Sequence, residues 1–328
     1  MTGAAGGLVT GGGSMGAGGL VTLGETMAVL TAPEPGPLAH ARCLRLGVAG
    51  SESNVAIGVR RLGHPATWIG RVGRDAVGEL VLRELRAEGV TCLVTEDDAP
   101  TGLMVKHRRT ADRTRVDYHR AGSAGARLCP QDVPSGVVAG AAVLHLTGIT
   151  PALGPGPADA VRHAIQVARD AGVTVSLDVN YRAALWREEQ ARGVLEELLD
   201  QVDVMFAGVT EARLLVNGDT PAELASQLAR RGPRQVVVTL GAAGAYALVD
   251  GEPYDTPAIE VPVVDPVGAG DAFVAGYLAE LISGAPPRRR LAIGTAAAGF
   301  VVATAGDWEG LPRRADLPLL TSADDVLR

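Results

Sequence analysis

The sequence predicts an α/β fold of three layers, α/β/α, with a mostly parallel central sheet and a small β-sheet lid. From residue 141 onward, four apolar runs have strand length: Val143 to Leu146, Val173 to Leu177, Val202 to Phe206 and Val236 to Leu240. Segments of helical character near 157–171, 187–200, 210–216 and 221–231 separate or follow them. Apolar strands without alternation, joined by helices, are the mark of a parallel sheet covered on both faces. Two segments break that rhythm. Residues 33–47 hold three prolines, and residues 101–120 alternate Leu103, Val105, Val116 and Tyr118 with Arg-rich polar positions. Together they read as one lid over the carboxyl edge of the sheet, where open α/β sheets bind ligands.

The remaining elements follow in order. Residues 1–19 hold nine glycines among small residues, without the charged start and apolar block of a signal peptide, and read as a disordered leader. Leu20 to Glu25 is a short buried strand. Asn54 to Leu62 carries apolar residues at helical spacing, Ala66 to Ile69 is a strand, and Glu79 to Glu88 is a helix stopped by Gly89. Leu248 to Gly251 and its neighbours form a hairpin, and Asp271 to Ser283 and Leu291 to Ala303 are apolar helices. The body is therefore expected over 20–32, 48–100 and 121–328, and the lid over 33–47 and 101–120.

Composition narrows the function. Of 328 residues, 47% are hydrophobic and 20% charged, which is ordinary for a folded domain. The net charge of −7 comes without a basic stripe, so nucleic acid is not an expected partner. All but one of the 30 basic residues are arginines; the exception is Lys106. A Gly-Lys-Ser/Thr phosphate loop is therefore absent, and a Schiff-base enzyme would have only Lys106 to use. Cys43, Cys92 and Cys129 fit neither a disulfide framework nor a zinc site. The longest apolar stretch, Leu291 to Gly306, is too short to span a bilayer. A cytoplasmic protein is the expectation.

The segment Asp265-Pro266-Val267-Gly268-Ala269-Gly270-Asp271 precedes an apolar helix. Small residues there leave the first backbone N–H groups open, and with the helix dipole they make an anion site. A carboxylate beside that anion suits proton abstraction from a hydroxyl attacking a phosphoryl group. A helix-capping aspartate is the plainer alternative.

Gly-Ala-Gly-Asp with an Asp three residues before it resembles the second signature of the ribokinase-like (PfkB) carbohydrate kinases. Ala49 to Ala56, continuing to Arg61-Leu62-Gly63 and to Gly70 to Gly78, resembles the first. The form most similar is 2-keto-3-deoxygluconate kinase, on Leu23-Gly24-Glu25, Tyr118-His119-Arg120, His145 to Leu153, Leu177 to Arg182 and Gly306 to Gly310. The resemblance implies a ribokinase-like fold and ATP-dependent phosphorylation of a sugar-acid hydroxyl, most simply 2-keto-3-deoxygluconate to its 6-phosphate. It makes Asp271 the base and the N–H groups of Gly268, Ala269 and Gly270 the anion hole. Gly50, Ser51, Glu52, Ser53 and Asn54 would hold sugar hydroxyls, with Tyr118, Arg120 and Asp307 as further substrate contacts. Arg182 would lie between substrate and nucleotide, and Asn180, Thr239, Gly241 and Gly244 on the nucleotide. The implied cofactors are ATP, Mg²⁺ and K⁺, with Asp265 as a candidate ligand of the monovalent cation. The lid is expected to pair two subunits into a homodimer, since its apolar residues need cover.

The sequence departs from the pattern at two places. Gly208-Val209-Thr210-Glu211 stands where the family has Asn-x-x-Glu, leaving Glu211 to reach Mg²⁺ through water. Met104 stands where a substrate-binding Tyr is expected. A neutral-sugar kinase of the fructokinase or ribokinase type, and a regulator that kept the fold and lost turnover, are the alternatives.

Overall fold

The computed structural model describes residues 9–10, 18–110 and 113–320. In chain order its strands are β1 (Val9–Thr10), β2 (Leu20–Leu23), β3 (Met27–Thr31), β4 (Arg45–Ala49), β5 (Ala66–Gly73), β6 (Thr91–Asp97) and β7 (Leu103–Thr110). They continue as β8 (Arg113–His119), β9 (Val143–Thr147), β10 (Thr174–Asp178), β11 (Val204–Gly208), β12 (Gln235–Thr239), β13 (Ala245–Val249) and β14 (Glu252–Thr256). The central sheet runs β1-β6-β5-β2-β9-β10-β11-β12-β13-β14. Every pairing from β6 to β12 is parallel, and only the two margins are antiparallel.

Alternate side chains of each strand enter opposite cores, which is why these strands read as unbroken apolar runs. In β11, Val204 and Phe206 pack with the helices Ser51–Arg61, Ala76–Ala87, Ala269–Ile282 and Pro287–Val302. Met205 and Ala207 pack with Pro155–Asp170, Glu188–Leu199, Val209–Leu215 and Pro221–Ala229 on the other face. Phe206 meets Tyr277 edge-on at 5.3 Å between ring centres, a preferred aromatic geometry. The Ser51–Arg61 and Ala269–Ile282 helices touch closely at Gly58, where a Cβ would lie 2.5 Å from the Ala275 methyl. Those two helices start at the carboxyl edge of the sheet, and their tight crossing brings the two predicted signatures together.

The lid is a separate four-stranded sheet, β4-β3-β7-β8. Its limits differ from the expected ones. Met27–Thr31 belongs to the lid, pairing parallel with β7 and antiparallel with β4, although only Gly24-Glu25-Thr26 separates it from the buried strand β2. Of residues 33–47 only the end is strand; three prolines withhold the donors a strand needs, and a 3₁₀ turn at Leu38–His40 fills part of the gap. The expected leader mostly lies outside the described residues. Within it Val9–Thr10 pairs antiparallel with β6, and Gly18 donates to the Gly140 carbonyl, so those positions are ordered parts of the body.

Candidate active site

A cavity of about 690 Å³ opens between the lid and the carboxyl ends of β10, β11 and β12. Its lining includes Gly50, Ser51, Glu52 and Asn54 from the first predicted signature, and Gly268, Gly270 and Asp271 from the second. Met104, Lys106, Tyr118 and Arg120 come from the lid side, and Asp178, Asn180, Arg182, Glu211, Thr239 and Asp307 complete it.

Asp271 sits in the first turn of the helix Ala269–Ile282, whose N-cap is Gly268, so it does not cap the helix itself. One carboxylate oxygen accepts from the Ser51 hydroxyl at 2.7 Å, and the other from the Asn54 side-chain amide at 2.8 Å. Both donors are neutral. Burial pushes the Asp271 carboxyl above its ordinary value, against these two hydrogen bonds and the attraction of Arg182. The Asn54 Oδ1 atom is buried with no partner among the described residues.

The turn before the helix is open to a ligand. Gly268 is left-handed, at φ 83°, and a Cβ there would lie 1.9 Å from the Asp307 carbonyl, so the turn requires glycine. No protein acceptor meets the N–H groups of Gly268 and Gly270 among the described residues. Ala269 differs from expectation: its N–H turns back to the Pro266 carbonyl at 3.4 Å, as the tight turn dictates. The amide cradle is thus Gly268 and Gly270, without Ala269.

A hydrogen-bonded line connects the surroundings of Asp271 to the sheet. Asn180 donates to the Ser51 hydroxyl at 2.9 Å and to Asp178 at 3.3 Å. Asn180 holds a positive φ of 39°, a strained conformation for a non-glycine residue that the surrounding contacts must impose. Burial and the neighbouring carboxylates of Glu211 and Asp271 hold Asp178 well above its ordinary pKa. Glu211 accepts from the Tyr181 N–H at 2.9 Å and the Gly208 N–H at 2.7 Å. Three carboxylates crowded on one wall suit a cation held through water and phosphate. Among the described residues no group of three metal-ligating side chains could hold an ion alone.

Several expected contacts fall elsewhere. Ser53 is buried, is outside the cavity, and donates to the Gly50 carbonyl in its own helix turn. The Glu52 carboxylate accepts from Thr147 and Thr150, at 2.7 Å and 2.6 Å, and is committed to the interior; burial raises its pKa. Gly241 and Gly244 lie beyond the cavity wall that ends at Thr239. Arg120 reaches the cavity but is paired with buried Glu25 at 2.5 Å. Arg182 is exposed and its side chain makes no hydrogen bond or salt bridge among the described residues, although its charge attracts Asp178 and Asp271. Asp265 is no open cation site: its carboxylate meets the Lys106 ammonium at 2.8 Å and the Val267 N–H at 3.1 Å. Asp307 meets the same ammonium at 2.6 Å.

Lys106 is the functional candidate that the sequence reading missed. An Arg-rich alternating strand reads as solvated, yet Lys106 shares a strand face with Met104, two residues away. That shared face was the available signal.

Known proteins bear on this arrangement. The family model described as pfkB family carbohydrate kinase matches residues 18–314. A 2-dehydro-3-deoxygalactonokinase of Haloferax volcanii is 40% identical over 293 residues, 88% of this chain and 92% of its own. A 2-dehydro-3-deoxygluconokinase of Bacillus subtilis is 35% identical over 92% of this chain and 95% of its own. The solved PfkB protein from Polaromonas superposes with a TM-score of 0.84 at 35% identity, covering 92% of this chain and 99% of that one. A match spanning both signatures, the lid and the C-terminal loop at Asp307 leaves one assignment: this chain belongs to the PfkB family of carbohydrate kinases.

Proposed function

We propose that the protein transfers the γ-phosphoryl group of MgATP to a hydroxyl of a 2-keto-3-deoxy sugar acid, 2-keto-3-deoxygluconate to its 6-phosphate, with Asp271 as the base. One observation carries the mechanism. Asp271 is oriented by two neutral donors at the mouth of an unfilled amide turn, and burial keeps it basic. Asp271 takes the proton of the attacking hydroxyl as the new O–P bond forms, and the Gly268 and Gly270 amides hold the charge of the phosphoryl oxygens. Glu211 and Asp178 face the place where Mg²⁺ would be held through water. When bound, MgATP supplies the phosphoryl group, and its metal neutralises the phosphate oxygens.

Substrate class follows from the relatives' names and from the cavity. Curated kinases at 35% and 40% identity are named for 2-dehydro-3-deoxy sugar acids. Arg182, with no hydrogen bond or salt bridge to its side chain among the described residues, is the guanidinium fork suited to a carboxylate, whereas Arg120 is already paired with Glu25. ADP release is measured with MgATP against 2-keto-3-deoxy acids and neutral hexoses. Turnover confined to the acids supports the reading. Preference for a neutral hexose overturns it in favour of a fructokinase-type enzyme, and binding without ADP selects a regulator.

The lid exposes Leu46 at 60% and Tyr118 at 43%, an apolar surface that supports a homodimer paired lid to lid. Light scattering tests this: a monomer at micromolar concentration rejects it. Among the described residues no helix is long and apolar enough to cross a membrane, and we place the protein in the cytoplasm.

A further inference from the structure

The lid carries a buried positive charge into the body of the enzyme. Lys106 lies on β7 with its side chain 3% exposed, and its ammonium bridges Asp265 at 2.8 Å and Asp307 at 2.6 Å. Both carboxylates flank the amide turn. Asp265 also accepts the N–H of Val267, one residue before the turn. Asp307 contributes the backbone carbonyl against which Gly268 is packed. Two residues along the same strand face, Arg108 donates to the carbonyls of Val264 and Pro33. The lid strand is therefore stitched to both flanks of the turn, and among the described residues only Lys106 forms a salt bridge to its carboxylates.

Removing one partner of such a trio leaves buried, uncompensated charge, which is far costlier than the pair is beneficial. Here the stranded charges would be two carboxylates beside the place of a phosphate. They would repel the phosphoryl group and each other, and would pull both flanks of the turn out of position.

We infer that Lys106 is a positioning residue for phosphoryl transfer: its ammonium clamps Asp265 and Asp307, setting the geometry of the Gly268–Gly270 turn and cancelling charge that would repel the phosphate. This rests on the kinase reading above.

The test measures ADP formation by purified full-length Lys106→Met, Lys106→Met/Asp265→Asn and Asp271→Asn, at a temperature where circular dichroism shows each folded. For Lys106→Met, kcat is expected to fall roughly 10²-fold, the cost of a small misplacement in a reacting site, while the KM for the sugar acid stays near the parent's. The double variant removes one negative charge with the positive one, and Asn keeps the acceptor for Val267. It is expected to regain most of the lost kcat. A lysine that only braces the fold would leave the kcat of folded molecules unchanged. Folded Lys106→Met with the parent's kcat overturns the inference. So does a low kcat that the double variant does not relieve, because the ammonium would then not act through its carboxylates. Where Lys106→Met does not fold, the double variant decides alone: a kcat close to the parent's supports the clamp, and a roughly 10²-fold loss overturns it. Parent-like turnover in Asp271→Asn defeats the kinase mechanism itself, whatever Lys106 does.

Discussion

Asp271 and the Asp265–Asp307 pair flank the same amide turn, and the protein holds them by opposite means. Asp271 receives two neutral hydrogen bonds and no ion pair, and burial raises its pKa. Asp265 and Asp307 share one ammonium at 2.8 Å and 2.6 Å. Charge-assisted pairing fixes a carboxylate's position, whereas neutral donors orient it and leave its charge unmatched. In the proposed mechanism, the contrast separates an acid that must react from acids that must stay put.

The sharpest way to break the comparison is to neutralise the reacting acid. Asp271→Asn keeps the shape and the Ser51 contact, and turnover is expected to fall roughly 10²- to 10⁴-fold, read from steady-state ADP release. Removing an orienting donor comes next. Asn54→Ala should lower kcat by about 10²-fold, and its pH profile adds a second reading. The Asn54 hydrogen bond lowers the Asp271 pKa, so its loss raises that pKa further and moves the acid limb of kcat to higher pH. An unmoved limb would count against Asp271 as the titrating base. Arg182→Ala should raise the KM for the sugar acid about 10- to 100-fold and leave a neutral hexose unaffected, the worth of a charged hydrogen bond.

The smallest effect is on stability. Because the folded pKa of Asp271 lies above its unfolded value, the folded state binds the proton more tightly, and stability is lost as pH rises through that folded pKa. Asp271→Asn removes this loss. At pH 8 the variant should melt higher, by about 2–4 °C for each kcal/mol recovered, while at pH 4 the two should converge. A lower melting temperature at pH 8 would show that the carboxylate is better satisfied than its neutral donors imply.

Much of the body was legible because burial on both faces writes itself as uninterrupted apolar runs, as in Val236-Val237-Val238. β6 was missed because its last residues, Thr95, Glu96 and Asp97, are polar: Asp97 pairs with Arg71, Glu96 with Arg74, and Thr95 donates to Asp132. Met27–Thr31 was assigned to the body because the turn at Gly24-Glu25 ends the first strand without showing that the next one joins a different sheet. The site was legible as two motifs but not as their junction. The Asn54–Asp271 contact joins residues 217 positions apart, and the Lys106–Asp307 contact joins residues 201 apart. Ser53 stood in the right motif, yet a helix shows only one face to a cleft and Ser53 lies off it, while Glu52 borders the cavity but spends its carboxylate on Thr147 and Thr150.

The Asp307 loop also dictates when the enzyme comes into being. Trp308 donates its indole N–H to the Val48 carbonyl, while Arg61 grips the carbonyls of Trp308, Glu309 and Leu311. A chain emerging from the ribosome would build most of the central sheet before this segment was made. Until Asp307 and its neighbours arrive, the carbonyl against which Gly268 packs is missing, so a nascent or clipped molecule would lack the wall behind the turn that the proposed mechanism needs.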